Sequence, residues 1–112
     1  MKAPNNILLE IKKYCLANKN IETCGFVIKN NQDMIIFPVE NKHPNNINYF
    51  LISPKDYLSA KILGEIIYLF HSHLIDSSFS DLDLMHQKYH NMDMLLYKIP
   101  SDSFEEKSVN TI

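Results

Sequence analysis

The stretch Glu65-Ile66-Ile67-Tyr68-Leu69-Phe70-His71-Ser72-His73 decides the fold. An unbroken apolar run of β-branched and aromatic residues, entered from Gly64, reads as a central strand buried on both faces. Such a strand needs cover on each side, and the flanking sequence offers it. Ser53-Pro54-Lys55-Asp56 has the signature of a helix start, with Ser at the N-cap, Pro at the first helical position and an acid at the third. That helix is expected to turn Tyr57, Leu58 and Ile62 inward and to leave at Gly64. Downstream, Ser80-Asp81-Leu82-Asp83 opens another helix that reaches about His90. Met94 to Ile99 makes a closing strand stopped by Pro100, and the polar residues after Phe104 are expected to fray.

Further upstream, Ile7, Leu8, Ile11, Tyr14 and Cys15 recur at helical spacing, which predicts a helix from Asn6, as N-cap, to Ala17. Two strands follow, Glu22 to Lys29 with Cys24, Phe26 and Ile28 on one face, and Met34 to Val39. The turn residues Asn30-Asn31-Gln32-Asp33 join them as a hairpin. Asn41 to Asn48 reads as a loop and Tyr49 to Ile52 as a short strand. The order helix, hairpin, helix, central strand, helix, strand is that of an α/β sandwich with mixed strand directions. It forms one domain over residues 1–112, with its core over 6–104 and a loose tail over 105–112.

Composition excludes several classes. The 112 residues, 46% hydrophobic and 21% charged, suit a single packed domain rather than a disordered chain. A net charge of −2, with all eleven basic residues lysines, argues against a nucleic-acid reader, which depends on the bidentate fork of arginine. No apolar run approaches the roughly 18–20 residues of a spanning helix, and the first residues turn polar too soon for a signal peptide. Two cysteines do not make a disulfide framework, so a reduced, intracellular setting is expected.

The chemistry gathers at the end of the central strand. Alternation places His71 and His73 on one side, about 7 Å apart along the chain. Two imidazoles so placed, with Asp83 on the first turn of the next helix, supply the two-His, one-carboxylate set of a catalytic zinc site that leaves a fourth position for water. Glu22 is the candidate base for that water, and Ser80 the candidate hydrogen-bond donor to the oxyanion of a tetrahedral intermediate. The bland readings stand beside these. Ser80 and Asp83 also form a capping-box pattern, shared by Ser53 and Asp56 where no function is suspected. Cys24 reads as a small buried hydrophobe, Met85, Met92 and Met94 as core or edge filler, and His43, His86 and His90 as surface residues. His86 and His90 lie four apart, but the glutamate of the helical zinc-protease motif is missing between them. Nucleotide deamination would require His-x-Glu and Pro-Cys-x-x-Cys, and neither occurs.

Together these features resemble the JAMM/MPN zinc metalloprotease family: Glu22 near Cys24-Gly25, then His71-Ser72-His73, then Ser80-Asp81-Leu82-Asp83. Phe37-Pro38-Val39-Glu40-Asn41, Phe50-Leu51-Ile52-Ser53-Pro54 and Leu95-Leu96-Tyr97-Lys98-Ile99-Pro100 also agree with its layout, so the resemblance covers residues 7–104. An alternative register of the final motif uses Ser78 and Asp81. Among members, the chain is most similar to small bacterial and bacteriophage forms, notably the metalloprotease-like domain of phage tail assembly proteins. The resemblance implies a cytidine-deaminase-like MPN sandwich, a mixed sheet flanked by helices. It implies Zn2+ on His71, His73 and Asp83, Glu22 as general acid and base, and Ser80 as oxyanion helper. It also implies hydrolysis of a peptide or isopeptide bond in a peptide or protein substrate, in some members a ubiquitin-like protein, with no nucleic-acid or membrane partner. The setting implied is the cytoplasm of a bacterium or phage-infected cell, or the virion. The competing expectation is a non-catalytic module of the same fold that binds a partner such as a phage tail protein.

Overall fold

The computed structural model describes residues 1–109. Helix α1 (Asn5–Ala17) leads into strands β1 (Cys24–Asn30) and β2 (Asp33–Val39). Helix α2 (Pro54–Leu63), strand β3 (Glu65–His73), helix α3 (Asp81–His90) and strands β4 (Asp93–Lys98) and β5 (Ser103–Lys107) follow. The five strands form one mixed sheet in the order β2-β1-β3-β4-β5. Only β3 and β4 run parallel, joined by the crossover through α3; every other neighbouring pair is antiparallel. A single α/β domain with a mixed sheet is therefore observed, as the pattern around β3 predicts. Among the described residues, no helix is long and apolar enough to cross a membrane.

Two cores sandwich the sheet. On one face α1 places Ile7, Ile11 and Cys15 against Val27, Tyr68, Phe70, Leu95 and Tyr97. The spacing of those three α1 residues is one helical stripe. On the other face Cys24, Phe26, Ile28, Leu69 and Met94 pack with Phe50, Ile52 and Ala60, under α2. The chain crosses from β1 to β2 through Asn31, whose positive φ suits the short side chain that tolerates a left-handed turn.

Several expectations are corrected. Pro4, not Asn6, caps α1, and no side chain bonds to its first amides. Tyr49 to Ile52 is not a strand, because its backbone is claimed elsewhere: Leu51 N–H donates to Asn41 Oδ1 and Leu51 C=O accepts from Lys42 N–H. Helix α2 buries Ala60 and packs Tyr57 against the same core as expected, but leaves Leu58 59% and Ile62 84% exposed. A small residue at the contact lets the helix lie close to the sheet and turns those two out. Ser53 does cap it, accepting from Asp56 N–H. Residues 105–107 of the tail expected to fray instead complete β5, pairing with β4 in register (Leu95 with Glu106, Leu96 with Glu105) behind Phe104, which packs on Tyr97. Of that expected tail, residues 110–112 lie outside the described residues.

Candidate metal centre

Strand alternation and one helix cap build the centre. His71 and His73 project from the end of β3 toward the α2 and α3 side, while Ser72 between them faces the opposite core. There Ser72 Oγ accepts from Thr23 N–H and lies 3.0 Å from Thr23 Oγ1, which ties the entry of β1 to the two-histidine end of β3. The chain then crosses residues 74–79 and enters α3 through a full capping box. Ser80 Oγ accepts from Asp83 N–H at 3.1 Å, and Ser80 N–H donates to Asp83 Oδ2 at 2.9 Å. Folding back over the helix start is what carries the Asp83 carboxylate to the strand end.

Asp83 Oδ2 lies 3.0 Å from His73 Nε2 and 3.2 Å from His71 Nε2. All three residues are buried, and their donor atoms lie within 4.8 Å of one another. The tautomers matter here. His73 Nδ1 sits 2.9 Å from the Ser77 carbonyl, which can only accept, and 3.1 Å from Ser77 Oγ, which can donate or accept, so the carbonyl's need for a donor puts a proton on that nitrogen. A neutral His73 would then aim its Nε2 lone pair at a carboxylate oxygen, a repulsive contact. Either His73 is an imidazolium or a cation belongs between the two atoms. His71 sharpens the point: Nε2 has no hydrogen aligned on Asp83, and neither of its ring nitrogens has a hydrogen-bond partner. Two atoms each about 2.0–2.1 Å from a shared tetrahedral ion stand roughly 3.3 Å apart, close to the separations seen. The chemistry of the donors thus fits a metal ion, which this buried group could hold.

The electrostatics agree. Burial pushes the Asp83 carboxyl up, but the two imidazoles beside it and the hydrogen bond from the Ser80 amide outweigh it and hold it well below the usual carboxylate range. Burial lowers His71, only partly offset by Asp83, and keeps it neutral, the state a ligand requires. Burial acts the same way on His73, but its contacts with Asp83 and Ser77 win and raise it.

Glu22 stands just before β1, not within a strand as expected, because β1 begins pairing at Cys24. Its backbone is held from both sides: its N–H donates to the Asn46 carbonyl and its carbonyl accepts from Asn41 Nδ2, each at 2.8 Å. The carboxyl is 5% exposed, and its Oε1 has no hydrogen-bond partner. Burial therefore raises it to about 8, with His73 pulling it down and Asp83 pushing it up. Glu22, His73, Ser77 and Ser80 line one cleft of about 180 Å3, whose outer walls are Ile47, Tyr49 and Ile75. His73 joins the two groups of candidates: it sits in the buried cluster with His71 and Asp83 and lines the cleft with Glu22 and Ser80. Ser78 and Asp81 stand apart: Ser78 bonds Glu105, and Asp81 is exposed.

Other residues emerge only in three dimensions. Asn41 uses its whole amide: Nδ2 donates to the Glu22 and Tyr49 carbonyls, and Oδ1 accepts from His43 and Leu51 N–H. In the sequence Asn41 reads as the start of a loop and the end of the Phe37–Asn41 fragment, with nothing to mark its four backbone partners. His86 is not the surface residue expected, since its ring packs on Phe50 at 4.5 Å, and His90 packs on Tyr57. Met85 is 66% exposed, whereas Met92 and Met94 fill the core. Cys24 is buried and raised to about 12 by desolvation and the nearby Glu22 charge, so it stays a thiol and packs as a hydrophobe. Neither the models of known protein families nor the curated proteins give a match to this chain.

Proposed function

We propose that this chain is a zinc-dependent metallopeptidase of the JAMM/MPN type, hydrolysing a peptide or isopeptide bond. The observation that carries the reading is the convergence of two imidazole nitrogens on one carboxylate oxygen, at 3.2 and 3.0 Å, beside a buried glutamate with an unpartnered oxygen. Two histidines and one carboxylate suit zinc better than magnesium or calcium, which prefer oxygen donors. His71, His73 and Asp83 would hold it. When bound, zinc supplies a water of pKa roughly 7 and polarises a neighbouring carbonyl.

The rest falls to the side chains. Burial raises the Glu22 carboxyl to about 8 in the metal-free chain, and a neighbouring dication would favour the ionised form that accepts a proton. Glu22 takes the proton of the attacking water and passes it to the leaving amine. Its unpartnered Oε1 is the atom available for that exchange. Ser80 Oγ spends a lone pair on Asp83 N–H, which leaves its proton to donate to the developing oxyanion. A positioned donor of this kind contributes about 2.7–4 kcal/mol. The capping box fixes Ser80 in place before substrate arrives. The scissile bond would sit in the cleft of about 180 Å3 that Glu22, His73 and Ser80 line.

One observation favours a second reading. A protonated His73 paired with Asp83 would satisfy the same contacts with no metal, as befits a non-catalytic binding module of this fold, for instance in phage tail assembly. Metal analysis separates the two. Under the enzyme reading the purified chain holds one zinc, Asp83→Ala loses it, and Glu22→Gln keeps it while hydrolysis of a peptide panel falls by about 10²–10⁴-fold. A chain that takes up no zinc at neutral pH leaves only the binding module.

A further inference from the structure

We propose that Phe50 is the positioning residue for His71, fixing the plane of that imidazole so that Nε2 faces Asp83. The inference rests on the metal-centre reading and adds to it a residue of the loop before α2.

A metal-binding histidine normally has its other ring nitrogen held by a hydrogen bond, and losing that partner weakens metal binding by about 10–100-fold. His73 follows the rule through the Ser77 carbonyl. His71 does not, because its Nδ1 is buried with no partner. Something else orients it. Phe50 lies on the imidazole face at a centroid distance of 4.7 Å and an interplanar angle of 29°. Phe79 approaches at 6.0 Å and 55°, too oblique to set the plane alone.

Phe50 is itself immobilised. It is 1% exposed, its ring also packs on His86 at 4.5 Å and 30°, and Asn41 bonds the backbone of both its neighbours, Tyr49 and Leu51. The two ligands are therefore aimed by different physics, a hydrogen bond for His73 and a ring stack for His71. Stacking suits this place, since a polar partner for Nδ1 would have to be buried among Phe50, Phe79 and the core of α2.

Phe50→Leu removes the stack and keeps most of the volume. Phe26→Leu is the control: Phe26 is a fully buried phenylalanine of the same core and meets Tyr57 edge-on instead. Zinc affinity is read by competition with a chromophoric chelator, and ligand geometry by the visible spectrum of the cobalt(II)-loaded chain. Both variants are expected to lower the melting temperature of the metal-free protein. Only Phe50→Leu is expected to weaken zinc by about 10-fold or more and to shift the cobalt bands. Equal zinc affinity in the two variants overturns the proposal. A parent protein that binds neither ion defeats the metal-centre reading instead. In that event the His71 ring-proton resonances still decide. They lie upfield under the Phe50 ring current and move downfield in Phe50→Leu, and no movement overturns the stack.

Discussion

Replacing Glu22 by glutamine should stabilise the metal-free protein at alkaline pH and leave it unchanged in acid. The carboxyl is 5% exposed, its Oε1 has no partner, and burial raises it from 4.5 to about 8. A folded-state pKa above the unfolded one means the folded chain holds a proton that the unfolded chain releases. The contribution of Glu22 to stability is thus intact below pH 4.5 and is lost as the pH rises through about 8. At ~1.4 kcal/mol for each pH unit between those values, ionised Glu22 costs the fold about 4–5 kcal/mol. Water reaching the cleft screens part of that and leaves about 2–4 kcal/mol.

Glutamine has nearly the same shape and no charge to desolvate. In chelator-treated protein at pH 9.5, thermal unfolding of Glu22→Gln should exceed the parent by roughly 8–16 °C, taking about 4 °C per kcal/mol for a domain this size. At pH 4.5 the two melting temperatures should coincide. Parallel curves across the whole range would mean that Glu22 is solvated and ionises freely, and it would lose its claim to a proton-transfer role. The expected result is a residue that costs the metal-free fold stability, as strained functional groups do.

Zinc affinity should rise about tenfold per pH unit between pH 5.5 and the raised pKa of His73 and then level off, because the proton shared with Asp83 must leave first. Chelator competition measures it, and a flat profile would remove His73 from the ligand set. Asn41→Ala strands two carbonyls and two amide N–H groups and should cost about 3 kcal/mol in urea unfolding; a loss under about 1 kcal/mol would mean that water replaces the amide. Gly25→Ala should destabilise by about 1–3 kcal/mol or more, since a Cβ there would stand 2.6 Å from the Phe37 carbonyl oxygen and 2.7 Å from the Phe70 ring. A neutral result in chemical denaturation would show that β1 and β2 can separate locally.

What the sequence made legible was local or periodic. Alternation along Glu65 to His73 put both histidines on one side without knowledge of their neighbours, and Ser53 and Ser80 marked helix starts because a cap acts within three residues. The misread features depend on partners distant in the chain. Nothing near Leu58 or Ile62 says that Ala60 is the residue admitted to the sheet. Residues 105–107 look like the start of a polar tail, yet Met94, Leu95 and Leu96 give them a pairing edge, and Val109 N–H is bonded to Asp93. Asn41 reads as one loop asparagine among several until the Glu22, Tyr49 and Leu51 backbones surround it. Phe50 reads as part of a strand because its stacking partners, His71 and His86, lie 21 and 36 residues away in the sequence.

The two readings of Ser80 and Asp83, cap and ligand, turn out not to compete. The start of α3 favours negative charge through its dipole and free amides, and the Ser80 N–H bond keeps Asp83 ionised and in one rotamer. An anionic, pre-oriented oxygen is what a metal donor needs, so the cap performs the positioning that a separate residue would otherwise supply. Ser53 and Asp56 show what the motif does alone. There the serine accepts from the Asp56 amide and the helix starts, and among the described residues Asp56 belongs to no group of candidate metal donors. The difference between a helix cap and a candidate metal centre lies ten residues upstream of Asp83, where β3 ends on His73 rather than on another isoleucine.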